Sequence, residues 1–153
     1  MASYNSLIGT QLPDFSLENE EGVLISNESL KGNWTVLFFY PKDDSPGCTI
    51  QSCHFRNNYD YFLKNNIQLF GISTDGKESH KKFKEKYQLP YSLLSDKGAK
   101  LIKKLNLKIM FKILRPRVTM IIDPEGIIRF THSSQINMKG HIHKTIKAFA
   151  ELK

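Results

Sequence analysis

The chain is short of cysteine, of tryptophan and of long apolar runs, and each shortage excludes something. Two cysteines among 153 residues are too few for a disulfide framework. No stretch of 18 or more apolar residues occurs, so no membrane span and no membrane partner is expected. The opening Met1-Ala2-Ser3-Tyr4-Asn5-Ser6 lacks a basic segment followed by an apolar one. It also lacks the arginines of a mitochondrial transit peptide, and a cytoplasmic protein is the plain expectation. No internal repeat, low-complexity tract or Pro/Gly/Ser-rich linker divides the chain. A single domain over residues 1–153 follows, long enough to bury a substantial core.

What is present is ordinary for a globular protein, with 40% apolar and 24% charged residues. The net charge of +7 hints at acidic partners. The lysines are spread over Lys77 to Lys112 and Lys139 to Lys153, as on a solvated face, so no nucleic-acid partner is expected.

Four runs read as strands: Thr35–Tyr40, Ile67–Ser73, Arg117–Ile122 and Ile127–Thr131. The last two are joined by Asp123-Pro124-Glu125-Gly126, strong turn chemistry that predicts a hairpin. Between the strands lie helical patterns. Phe55, Tyr59, Phe62 and Leu63 recur at helical spacing after Pro46. Phe83 and Tyr87 stripe the segment Lys77–Tyr87, where Asp75 and Glu78 resemble a capping box. Ala99–Leu105 and His141–Leu152 complete the set. Strand–helix alternation ending in a hairpin predicts an α/β protein, a central mixed β-sheet with helices on both faces, compatible with a thioredoxin-like fold.

Cys48 and Cys53, the only cysteines, sit where the first of these strands turns into a helix. Pro46-Gly47 sets Cys48 in the first helical turn, where unpaired backbone N–H groups and the helix dipole favour thiolate. At 100° per residue Cys48 shares the face of Phe55, Tyr59 and Phe62, which packs against the sheet. Cys53 is turned about 140° away, with its Cα roughly 8.6 Å from that of Cys48 if both are helical. A disulfide needs about 4.4–6.8 Å, so a bond between them requires the first turns to unwind. Two unrelated buried thiols remain an alternative reading. A metal site of Cys48, Cys53 and His54 lacks a usual zinc spacing and an evident fourth ligand, so no metal is expected. Cys-x-x-Cys is absent, which argues against a dithiol motif of the thioredoxin type.

The string Phe39-Tyr40-Pro41-Lys42-Asp43 … Pro46-Gly47-Cys48-Thr49 … Cys53 resembles the active-site segment of the peroxiredoxins, most closely the bacterioferritin comigratory protein/peroxiredoxin Q group. Ile8-Gly9 and Pro13-Asp14-Phe15-Ser16-Leu17 resemble that group's opening, and the likeness runs from about Ile8 to Leu152. It implies a thioredoxin-like fold and a thiol-dependent peroxidase, with Cys48 as peroxidatic and Cys53 as resolving cysteine. Ser45 stands where the family usually has Thr, keeping the hydroxyl and losing the methyl that stiffens the rotamer. Pro41 would shield the sulfur from bulk water. The family arginine matches Arg117, six residues before Asp123, with Arg115 as the fallback and Val118 where a small residue is usual.

The resemblance further implies reduction of hydrogen peroxide or organic hydroperoxides through a Cys48 sulfenic acid. An intramolecular disulfide with Cys53 would follow, recycled by thioredoxin or a similar dithiol, in a monomer without cofactor. Two other readings stay open: a dithiol oxidoreductase, and a basic redox sensor in which the disulfide is only a switch. His54, His141 and His143 are expected at the surface and Trp34 in packing. Met110, Phe111, Ile113 and Leu114 form an apolar stretch that would line the site or a contact surface.

Overall fold

Alternation of apolar residues on both sides of the central strand dictates the architecture. The computed structural model describes residues 4–108 and 115–152. The apolar stretch from Met110 to Leu114 lies outside the described residues. Seven strands form one sheet: β1 (Ser16–Glu18), β2 (Leu24–Ser26), β3 (Trp34–Phe39), β4 (Ile67–Ser73), β5 (Ser92–Ser95), β6 (Val118–Ile122) and β7 (Ile128–Ser133). Their order is β2-β1-β5-β4-β3-β6-β7. Strands β3, β4 and β5 run parallel, whereas β6 and β7 add antiparallel to one side and β1 and β2 to the other. The sheet is therefore mixed, as its sequence pattern implies.

The helices are α1 (Asn27–Leu30), α2 (Pro46–Asn57), α3 (Tyr59–Lys64), α4 (Lys77–Tyr87), α5 (Lys100–Lys104) and α6 (Met138–Leu152). Along β3, Val36 and Phe38, with Tyr40 just beyond the strand, face a core shared with Phe55 of α2, Phe62 of α3, Phe83 of α4 and Phe149 of α6. Leu37 and Phe39 face the opposite core, built with Leu30 of α1 and Leu101 and Ile102 of α5. Helices thus cover both faces, which is why β3 is continuously apolar.

Several sequence expectations need correction. Strands β1, β2 and β5 were not among the four anticipated, because three or four residues are too few to display a period. Strand β6 begins at Val118, so Arg117 precedes it, and β7 runs Ile128–Ser133. The helix expected to run on through Tyr59 is broken at Asn58, whose side chain donates to the His54 carbonyl at 2.8 Å in competition with the helical backbone. Leu63, counted into its apolar stripe, is exposed. No capping box forms at α4, whose N-cap is Gly76. The Asp75 carboxylate instead accepts from the Asp43 N–H at 2.8 Å and the Ser73 hydroxyl at 2.7 Å. Helix α6 starts earlier than expected, at Met138.

The Asp123–Gly126 hairpin is present as expected. Gly126 adopts φ +86°, the left-handed conformation the turn needs, and Asp123 Oδ1 accepts from the N–H groups of Glu125 and Ile127.

Candidate active site

Strand β3 delivers the chain at Tyr40 to a loop, Pro41 to Ser45, and the loop hands it to α2. Pro46 occupies the first helical position, where its missing N–H costs nothing, and Ser45 is the N-cap. The Thr49 N–H is bonded to the Ser45 carbonyl at 2.9 Å. The N–H groups of Gly47 and Cys48 precede that bond, at the positive end of the helix.

The loop is tied down to α4 on its far side. The Asp43 carboxylate is buried and accepts three hydrogen bonds: from the Tyr40 hydroxyl at 2.6 Å, from Ser79 at 2.8 Å and from His80 Nδ1 at 2.7 Å. The other ring nitrogen of His80 lies 2.9 Å from the Leu94 carbonyl, so the ring is held between two oxygens. Burial, then the charge of Asp43, pushes the Tyr40 hydroxyl well above its ordinary pKa and keeps it a donor. Asp44 follows with φ 60°, a conformation held by Lys86 Nζ and the Tyr87 hydroxyl, each at 2.8 Å from its carboxylate.

Cys48 is fully buried among the aromatic residues of the core that includes Phe38 and Phe55, as its helical phase implies. Cys53 is half-buried, and both are free thiols within one continuous helix. Helix geometry puts their Cα atoms about 8.6 Å apart, beyond disulfide range.

Above the first turn opens a cavity of about 650 Å³ lined by Pro41, Ser45, Gly47, Arg115, Arg117 and Gln135, among others. Four of the residues singled out in the sequence therefore meet in one place, Arg115 included even though β6 does not reach it. Neither Cys48, fully buried behind Gly47, nor Cys53 is among the lining residues. The Arg117 guanidinium is buried against the helix start: a Cβ on Gly47 would stand 3.2 Å from its Nη2. Nη1 donates to Gln51 Oε1 at 2.7 Å and Nε to Gln135 Oε1 at 3.4 Å, and Gln135 Nε2 in turn donates to the Arg115 carbonyl at 3.0 Å. Among the described residues no carboxylate forms an ion pair with Arg117, although Asp75 lines the same cavity. The Ser45 hydroxyl donates to the Lys42 carbonyl at 2.8 Å, which leaves its lone pairs facing the cavity as acceptors.

Sequence reasoning missed Gln51, Gln135, Asp43 and His80. Gln51 lies three residues after Cys48, on a neighbouring face of the helix, and that spacing was a usable signal. Gln135 and His80 arrive from distant segments with no local signature. His141, expected at the surface, is buried: Nδ1 meets the Thr119 hydroxyl at 2.8 Å and Nε2 the Ser134 carbonyl at 2.8 Å. Burial holds its pKa down at about 4. His54 is half-buried, whereas His143 is exposed as expected and Trp34 packs edge-on against Phe149.

The family described as AhpC/TSA matches residues 8–131. The chain is 40% identical over 146 residues to the chloroplastic peroxiredoxin Q of Sedum lineare, covering 95% of this chain and 78% of that one. Among solved structures it resembles peroxidoxin BcpB of Mycobacterium tuberculosis, with a TM-score of 0.87 and 29% identity over 95% of this chain and 97% of the other. It also resembles the bacterioferritin comigratory protein of Xanthomonas campestris, described for its alkyl peroxide reduction activity, with a TM-score of 0.82 and 26% identity over 91% and 92% of the two chains. The mixed sheet and these overlaps show a thioredoxin-like fold.

Proposed function

Because the chain belongs to the AhpC/TSA family, in its peroxiredoxin Q group of thiol peroxidases, we propose that Cys48 reduces hydroperoxides and that Cys53 resolves the product. The observation that carries this reading is the placement of Cys48 in the first turn of α2, next in sequence to Gly47, which lines a cavity together with Ser45 and Arg117.

The Cys48 thiolate attacks one peroxide oxygen in line with the O–O bond. The sulfur is oxidised to sulfenic acid, the O–O bond breaks, and the other oxygen leaves as hydroxide or alkoxide that takes up a proton. Arg117 stabilises the charge on the departing oxygen, while the Gly47 and Cys48 N–H groups and the Ser45 lone pairs orient the peroxide. Pro41 covers the sulfur from bulk water. Cys53 sulfur then attacks Cys48 sulfur, the S–O bond breaks, and water leaves as the disulfide forms. An external dithiol of the thioredoxin type reduces that disulfide. Both thiols belong to one helix, so a monomer suffices, and no step calls for a cofactor. The reading covers organic hydroperoxides as well as hydrogen peroxide, supported by the size of the cavity and the activity described for the Xanthomonas protein. It places the chain in a reducing compartment, the cytoplasm, and imaging of a tagged full chain checks that against the plastid of the plant relative.

Peroxide consumption with thioredoxin, thioredoxin reductase and NADPH tests the proposal. Cys48→Ser should abolish turnover, and full turnover in that variant would overturn the peroxidase reading. Mass spectrometry of the non-reduced protein after one equivalent of peroxide should find a Cys48–Cys53 bond. Normal thioredoxin-supported cycling by Cys53→Ser would remove Cys53 from the resolving role.

A further inference from the structure

Resolution has a mechanical problem, since about 2 Å or more must be closed between two residues of one helix. The same helix holds an unusual concentration of unsatisfied groups. Five buried side-chain polar atoms lack a hydrogen-bond partner among the described residues, and three of them, Gln51 Nε2, Ser52 Oγ and His54 Nδ1, fall within four residues of α2. A buried polar group left unpaired forfeits its hydration without recompense, and opening the helix returns it to water. Opening the turn that carries Cys53 therefore regains hydration for three side chains.

Its restraints are definable: at its two ends Gln51 Oε1 accepts from Arg117 Nη1 at 2.7 Å and the His54 carbonyl accepts from Asn58 Nδ2 at 2.8 Å. Downstream, Phe55 stacks on Phe38 with ring centroids 4.4 Å apart, and Arg56 Nη1 donates to the Tyr87 carbonyl at 2.8 Å. These contacts stop an opening at Phe55. Within the weak turn itself, the buried Tyr91 hydroxyl donates to the Ser52 carbonyl at 2.7 Å.

We propose that Tyr91 is a positioning residue for the resolution step, its hydroxyl latching the 51–54 turn of α2 closed, while the unpaired Ser52 hydroxyl lowers the cost of opening it. The proposal rests on the reading of Cys53 as the resolving thiol. In each cycle the latch releases, Cys53 sulfur reaches the Cys48 sulfenic sulfur, and the disulfide forms with loss of water. Burial keeps the Tyr91 hydroxyl protonated, so the latch stays a donor across the working pH range. The Tyr91 ring packs edge-on against Phe38, with centroids 5.6 Å apart, so Tyr91→Phe keeps the packing and removes only the latch.

Tyr91→Phe and Ser52→Ala give opposite predictions. In the reduced protein, amide hydrogen exchange at residues 51–54 should be about fivefold faster in Tyr91→Phe and about fivefold slower in Ser52→Ala, which loses an unpaired hydroxyl and gains a better helix former. In rapid-mixing experiments the sulfenic acid should be shorter-lived in the first and longer-lived in the second, with its rate of formation within about twofold of the parent in both. Excess peroxide should accordingly over-oxidise Cys48 to sulfinic acid less in Tyr91→Phe and more in Ser52→Ala. Parental exchange in both variants, or shifts in the same direction, overturns the proposal while a Cys48–Cys53 bond in the parent leaves the resolving role standing. Absence of that bond overturns the resolving role, and exchange in the reduced protein still decides whether Tyr91 latches the turn.

Discussion

Arg117 is gripped by two glutamine amides, Gln51 and Gln135, and that choice of partners matters more than its burial. Neutral acceptors fix the fork of the guanidinium without cancelling its charge, so the full cation faces the cavity. Arg117→Ala should lower the rate of peroxide reduction by roughly 10²–10³, the scale of removing one donor from a developing oxyanion. Arg115→Ala, whose contribution to the Arg117 grip is only its backbone carbonyl, should stay within a few-fold of the parent, and rapid-mixing kinetics of the two variants separate them. Of the cavity's lining residues, Pro41, Ser45, Arg115 and Arg117 were legible in the sequence. The orientation of Ser45 was not, because its hydroxyl is drawn to the Lys42 carbonyl three residues back. Gln135 was illegible for another reason, since only the hairpin of β6 and β7 brings the segment that follows it back to Arg117.

At the level of elements, the loop before Cys48 is a hinge clamped to α4 from two sides, by the buried Asp43–His80 pair and the exposed Asp44–Lys86 pair. The exposed pair contributes little, whereas the buried one becomes costly when broken. Asp43→Ala strands His80 and leaves the Tyr40 hydroxyl without its best acceptor. The protein should lose about 3–5 kcal/mol by urea denaturation, and peroxide reduction should fall as the loop loosens. Helix α4 was legible to the residue from its stripe of Phe83 and Tyr87. Its cap was misread because Asp75, in capping position by spacing, is recruited by Asp43 across space. The break at Asn58 was misread for the same kind of cause, a short polar side chain choosing a local carbonyl over helical continuity. Period carries information about elements that are long and one-sided, and β1, β2 and β5 are neither.

At the scale of the whole molecule, one sheet separates two cores, and the face carrying α6 contains a histidine with no exposed surface. His141 stays neutral in the fold, its pKa held at about 4 first by burial. In the unfolded chain an ordinary histidine titrates near 6.5. The stability tied to this neutrality is therefore fully present above about pH 6.5 and is lost as pH falls toward 4, because the unfolded chain takes up a proton that the folded one refuses. The loss should amount to about 2 kcal/mol between pH 6.5 and 4.5. Urea midpoints at pH 6.5 and 4.5 should show it, and His141→Gln should flatten that slope. The two-faced sheet was legible from the continuously apolar β3. The burial of His141 was not, because its partners Thr119 and Ser134 come from the hairpin and from the turn beyond it.

Cys48 is a core residue, packed with Phe38 and Phe55 and cut off from solvent. In the proposed cycle the turn beside it must open, uncovering this edge of the core, each time a disulfide forms. Turnover and persistence in the cell are thereby joined: a proteolytic machinery that reads exposed apolar segments meets the oxidised chain first. A cell that recharges its dithiols slowly would pay in copies of the protein as well as in peroxide, and the supply of reductant would set the half-life of the enzyme it serves.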